Sequence, residues 1–562
     1  MGGIDLQAAV KEAKHSAFKD PSKYCRDMCG RRHNLEELRE QRFKAVMKGM
    51  SWMRKFLQKD KYAALHDIGD DAPSIFFEVW YTSADSRIRV RARGIAVELL
   101  VEYVRGKKKQ FDKAMRKHKD EGAGAAGGAR GKSKAEVEPG GSRREKTAKA
   151  AKASKAGKGK HDNADGGDDD LSIDNFFEYM FLIRSAHEME LEGEEDVCPV
   201  LMHMADETYK RLNLRNTDAL FGTDVEALPA RSTDTWLLLL MRILIMEFNK
   251  IIYMGKWPIS WGLKEALLAL KQVELSPPPY EKFPDFHDSV YLATHIVFAF
   301  SAYSSIKTTE SECKWLYDYC RVALRYWMRN DRRNRKMEVR EARALAELEL
   351  EQENKTEEED AAEAVGEEAR SGDVEGAQAS EVSLSCPASF LSAGKLSLSL
   401  AVSQGKRGGH PTEAEAEADG EPGGRGIRHF VDVDGVAEAV DVLRGSGLTE
   451  GSDALLCEGC LFLLRVQSKD GQFPVVFQGE ETAQSAFGDD PKGKKKGYYD
   501  RIHATWVATQ ALRDRDYKIE RKGNVRWKEW ITRLLKEVEF NNLEYEPKWK
   551  CDLNPKGITF RV

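Results

Sequence analysis

Two short strings in this chain share a pattern able to do chemistry. Tyr291-Leu-Ala-Thr-His295-Ile-Val-Phe298 and Tyr499-Asp-Arg-Ile-His503-Ala-Thr-Trp506 both read Tyr-x3-His-x2-aromatic. Each follows a loop containing Pro or Gly and reads as the start of a helix, which puts the two imidazoles in equivalent places. Histidine changes charge near neutral pH and ligates metals through either nitrogen. Beside carboxylates it can serve as a general acid or base, or help hold zinc. The candidate catalytic residues are His295, His503 and Asp434. The candidate ligand-binding residues are Tyr291, Asp288, Tyr499, Asp500 and Trp506. A histidine at a helix start is also a common hydrogen-bonded structural residue, and the sequence names neither a metal nor a cofactor.

Other strings carry less. Asp432 and Asp434 precede a helix read over Gly435–Leu443, where a carboxylate accepts from open amides and suits the helix dipole. Cys25-x3-Cys29-x3-His33 has no second Cys or His pair nearby, so zinc is not expected there. No Gly-x-Ser-x-Gly string is present.

The elements that must position these groups read as helices. Leu35, Leu38, Phe43, Val46 and Met50 recur at helical spacing, followed by a short aromatic helix (Ile75–Tyr81) and by Ile88–Val104. Further helices are read at 173–189, 197–213, 233–254, 262–273, 290–304 and 311–330, the last extending through a charged stretch to Glu353. A helix from Asp453 to about Gln467 follows later, and Trp527–Leu535 closes the series. Phe473–Phe477 is the strand candidate. Trp236–Met254 is long enough to cross a bilayer, but it carries Arg242, Glu247, Asn249 and Lys250, and reads as a buried helix.

Composition separates these blocks. Residues 105–160 hold 19 Lys/Arg against 6 Asp/Glu, and residues 351–421 hold 17 Asp/Glu against 5 Lys/Arg. Neither stretch has the apolar surface to offset its ordering entropy, so 106–170 and 354–425 are expected to be disordered. The lysines of 105–160 are placed to touch a polyanion, yet no aromatic residues interleave to stack bases, and a solvated linker is the reading. The nine cysteines are odd in number and too sparse for a disulfide scaffold, which fits a reducing compartment. No basic-then-apolar leader pattern opens the sequence. An intracellular chain, cytoplasmic or nuclear and without a transmembrane segment, is the expectation.

Gln467-Ser-Lys-Asp-Gly471-Gln-Phe473 reads Gln-x3-Gly-x-Phe, at the end of a helix containing Gly459, Phe462 and Leu464. This string resembles the QW motif of the terpenoid cyclase and protein prenyltransferase superfamily, with Phe473 where that motif has Trp. In that family the motif joins an outer helix to the next inner helix of an α/α toroid, and His503-Ala-Thr-Trp506 resembles the opening of an inner helix. Gln467 is expected to bond the open helix end, Gly471 to allow the tight turn, and the ring to pack between hairpins. The resemblance implies that both histidines lie on one rim of the toroid. It also implies family chemistries, each of which this sequence departs from. Asp432-Val-Asp434-Gly435 lacks the last acid of the cyclase Asp-x-Asp-Asp motif. Asp168-Asp-Asp170 with Asp174 lacks the Asp-Asp-x-x-Asp spacing. For the prenyltransferase zinc set, His503 and Asp432 or Asp434 match, but no Cys follows the Asp.

The sequence therefore describes an all-α chain of α/α toroid-like helical hairpins. Residues 1–105 are an additional N-terminal helical subdomain, 106–170 a linker, 171–353 the first part of the toroid, 354–425 an acidic insertion, and 426–562 the completing hairpins and a tail. Two functions fit it. One is a non-catalytic scaffold binding a protein partner or an apolar ligand. The other is an enzyme of terpenoid-cyclase or prenyltransferase type with an altered rim.

Overall fold

The computed structural model describes residues 23–128, 173–191, 197–212, 257, 263–271, 275–278, 286–302, 304–370, 429–477, 498–517 and 522–543, with two short strands at 551–552 and 559–560. By contacts the chain divides into one unit of residues 1–332 with 430–562 and a second of 333–429. The fold is all-α. No helix among the described residues is long and apolar enough to cross a membrane. The span expected as a buried helix at 233–254 lies outside the described residues.

The first unit opens with a hairpin, β1 (Tyr24–Arg26) against β2 (Arg32–Asn34), which leads into α1 (Leu35–Ile68). Asn34 starts α1 by accepting from the amides of Glu36 and Glu37 at 2.9 and 3.4 Å. Next come α2 (Asp71–Thr82), with no residue beyond Asp71 exposed, and α3 (Ser86–Gly128). Residues 106–128, expected to open a linker, are helical instead, because they are rich in helix formers and Phe111 is buried. Residues 129–170 lie outside the described residues.

There follow α4 (Ile173–Glu188), α5 (Val197–Arg211), α6 (Leu263–Leu270), α7 (Phe286–Phe300) and α8 (Lys314–Arg370). Strand β3 (Val431–Asp432) then enters α9 (Val433–Gly445), and α10 (Ala454–Val466) follows. Strand β4 (Val476–Phe477) pairs antiparallel with β3 and realises part of the strand read at Phe473–Phe477. The last helices of the unit longer than one turn are α11 (Tyr498–Leu512) and α12 (Lys522–Glu537).

All thirteen residues of α9 are buried. It lies against α7, α10 and α11, and α11 in turn lies along α1. A β-carbon on Gly435 would stand 2.3 Å from the Trp327 ring, so only Gly lets α8 approach α9 this closely. One hydrophobic core runs from Ala45 to Phe540. The N-terminal helices, expected as an additional subdomain, share that core.

The Gln-x3-Gly-x-Phe string folds as a turn, though not with the partner expected for Gln467. Its amide donates to the carbonyls of Ala45 on α1 (3.0 Å) and of Gly471 (3.1 Å), tying the turn to α1 in place of the end of its own helix. Gly471 takes φ +106°, and Phe473 is buried with its N–H donating to Thr505 Oγ1 at 3.0 Å.

In the second unit the described residues are the later part of α8 and His429. Asn334 closes on the His429 backbone, donating to its carbonyl at 2.7 Å and accepting from its N–H at 2.8 Å. The acidic insertion expected from 354 is helical as far as Arg370, where Ala and Glu favour helix. Residues 371–428 lie outside the described residues.

Candidate functional site

The site assembles on α7, α9 and α11. Asp432 caps α9, its Oδ1 accepting from the Gly435 amide at 3.1 Å while Oδ2 accepts from His287 Nδ1 at 2.7 Å. Asp434, expected to share in capping, is thereby released. Asp434 and Glu438 stand one helical turn apart on α9, which places both carboxylates on one face.

His503 of α11 donates from Nδ1 to Asp434 Oδ2 at 2.8 Å, and the Tyr291 hydroxyl lies 3.3 Å from the same nitrogen. His295 of α7 lies 2.8 Å through Nδ1 from the Tyr291 carbonyl, which can only accept. Nδ1 of His295 therefore carries the proton and Nε2 is the acceptor. The same Nδ1 is 3.8 Å from Glu438 Oε2, to which Thr294 donates at 2.5 Å.

The repeated string gives the same ring geometry twice. Tyr291 and His295 stack at 5.5 Å between centroids, with Phe298 edge-on to His295 at 5.6 Å. Tyr499 and His503 lie at 4.9 Å, with Trp506 edge-on to His503 at 5.4 Å. Tyr291 also stacks on His503 at 5.9 Å, so one ring separates the two imidazoles. The second string opens α11, as expected, with His503 in its second turn, whereas the first lies inside α7, which begins five residues before Tyr291 and holds His295 in its third turn.

Burial and charge then divide the roles. Burial, with a smaller effect from His503, lowers His295 to about 3, so its imidazole is neutral at ordinary pH. Burial also acts to lower His503, but Asp434 beside it, with Asp71 and Asp432 beyond, raises it above its ordinary value. Burial first, and then the charge of Asp434, push Glu438 well above the carboxylate range. Asp434 Oδ1 and Glu438 Oε1 are both buried and accept no hydrogen bond from the described residues.

Of the candidates read from the sequence, Tyr291, His295, Asp434, Tyr499, His503 and Trp506 come together here. Asp288 lies half-buried in the first turn of α7 and acts on His287 through its charge. The Asp500 side chain lies outside the described residues. Glu438 was missed, although its place four residues after Asp434 was the available signal.

Ligand atoms of Asp434, Glu438 and His503 lie within 4.8 Å of one another. This nitrogen and oxygen set, with two orphaned carboxylate oxygens, fits a zinc-class divalent cation. Such an ion would offset the carboxylate repulsion and polarise a bound oxygen.

A concave region lies at the start of α1. A cleft of about 700 Å³ is lined by Lys23, Arg39, Arg42, Lys307, Arg444 and Arg515 against Glu36, Glu450 and Asp514. Arg42 pairs with Asp514 (2.6 Å) and Glu450 (3.2 Å), Arg444 pairs with the same two acids, and Arg515 pairs with Asp441. Beneath them Arg513, wholly buried, is lowered to about 10 by that burial. No family model, curated protein or solved structure matches this chain.

Proposed function

We propose that the chain is a non-catalytic, toroid-like helical scaffold that binds an acidic segment of a partner protein in the arginine-lined cleft. The observation that carries the scaffold reading is the Tyr291 ring, stacked on both His295 and His503. The groups best suited to chemistry are packed against one another, whereas an isoprenoid-converting enzyme needs a water-excluding pocket at that point. A toroid-like arrangement is supported by the fully buried α9 between α7 and α11, and by the glycine turn that joins α10 to the chain leading into α11.

The cleft suits an extended acidic ligand better than a single anion. Its arginines are already paired with carboxylates, so the cationic surplus is spread along the walls. A labelled Asp/Glu-rich peptide should bind saturably, more weakly at higher salt and more weakly to Lys307→Glu. A peptide that fails to bind, or binds Lys307→Glu equally well, refutes the assignment.

A second reading is favoured by one observation, the buried Glu438 carboxyl, which burial and Asp434 raise well above the carboxylate range, beside the His503–Asp434 pair. A buried carboxylic acid so held is a proton donor, which suits a terpenoid-cyclase-like enzyme with a divergent rim. Turnover of a linear isoprenoid that disappears in Glu438→Gln would replace the scaffold reading.

A further inference from the structure

We propose that Cys25 and Cys457 are a redox pair whose disulfide staples the β1–β2 hairpin to α10. Their sulfurs stand 2.9 Å apart across 432 residues of chain, closer than two unbonded sulfurs prefer. Both cysteines are free and buried, at 1 % and 0 % exposure. They form, with Leu38, a small apolar cluster of their own, flanked by Leu35, Leu461 and Leu464. The surroundings are apolar on the side of these leucines, and the cluster of metal-type ligands found among the described residues does not include either thiol.

The chemistry balances with a low-molecular-weight disulfide of the glutathione type as oxidant. One thiol loses its proton and attacks the glutathione disulfide, forming a mixed disulfide and releasing one reduced glutathione. The second thiolate attacks the protein sulfur of that mixed disulfide and releases the second glutathione. Both protons leave on the departing thiols, and two electrons pass from the cysteine pair to the oxidant.

Burial pushes both thiols above their ordinary values, so the closed pair reacts slowly. The hairpin that carries Cys25 has only three residues in each strand. A two-stranded hairpin of that size is marginal, and its opening admits the oxidant while its closing returns the sulfurs to bonding range. The bond has a geometric consequence. Lys23, Asn34 and Leu35, within ten residues of Cys25, and Thr449 and Glu450, eight and seven residues before Cys457, all line the cleft. Oxidation ties these two lining segments together, whatever ligand the cleft takes.

The test equilibrates the full chain in graded ratios of oxidised to reduced glutathione, blocks free thiols by alkylation, and maps peptides without reduction. The expected result is one intramolecular cross-link, Cys25 to Cys457, with an unfolding midpoint several degrees higher than in the reduced chain. Cys25→Ala and Cys457→Ser should each abolish both the cross-link and the rise. Two results overturn the proposal, and both are read on the wild type without any variant. One is that both thiols stay open to alkylation after denaturation at the most oxidising ratio. The other is that exposed Cys29 replaces either partner in the cross-link.

Discussion

Glu78 carries a carboxyl into the packed side of α2, where Gln510 donates to it and Arg513 lies nearby. Burial raises it to about 7, the Gln510 hydrogen bond and the arginines opposing only in part. A carboxyl raised on folding binds its proton more tightly in the native state. Its unfavourable contribution therefore appears as pH climbs from the ordinary carboxylate value to about 7, and costs on the order of 3 kcal/mol when complete. Urea midpoints should fall over that window in the wild type and stay flatter in Glu78→Gln. A second expectation concerns Glu438. Zinc added to chelator-stripped protein should raise the unfolding temperature of the wild type and leave Glu438→Gln unmoved. An equal response of the two would remove Glu438 from any cation site. The histidines and Asp434 were legible because the paired strings advertise them. Glu438 was legible only through its place four residues after Asp434, a signal that carries weight once Asp432 is known to take the cap and leave Asp434 free.

Among the elements, the turn from Gln467 to Phe473 makes the sharpest demand on sequence. A side chain on Gly471 would meet both an unfavourable φ and the Lys48 carbonyl, 2.5 Å from where its β-carbon must lie. A backbone atom cannot swing aside as a side-chain tip can, so Gly471→Ala should cost about 2–4 kcal/mol. Thermal unfolding of that variant checks this, and a loss below half a kcal/mol would mean that the turn re-forms without its glycine. The spacing of apolar residues made most helices readable, with ends misplaced by a few residues. The larger errors were the late ends of α3 and α8. Lys-rich and Glu-rich runs resemble linkers by composition, yet they have good intrinsic helix propensity and extend a helix already nucleated.

At the scale of the whole molecule, the carboxylate of Asp514 gathers Arg39, Arg42 and Arg444 from α1 and α9 onto the end of α11. Burial would raise this acid, but Arg42 and Arg444 outweigh it and hold it at about 2. The sign is opposite to that of Glu78. The stabilisation is present above the ordinary carboxylate value and lost as pH falls through about 2, amounting to about 2 kcal/mol. Asp514→Asn should be less stable than the wild type at pH 5 and lose less on acidification to about pH 2, as urea titrations at the two pH values would reveal. No sequence pattern announced this cluster, because its members are joined only by the packing of α1 against α11. That packing also bears on how the chain comes to fold. Arg42 bonds the Leu512 carbonyl across 470 residues, and Gln467 bonds Ala45 across 422. A ribosome completes α1 long before its partner exists, and closing so wide a loop is a slow, non-local step. The apolar face of α1 must wait, exposed, for most of synthesis. Newly made chains should therefore depend on chaperones and aggregate when translation stalls before residue 498.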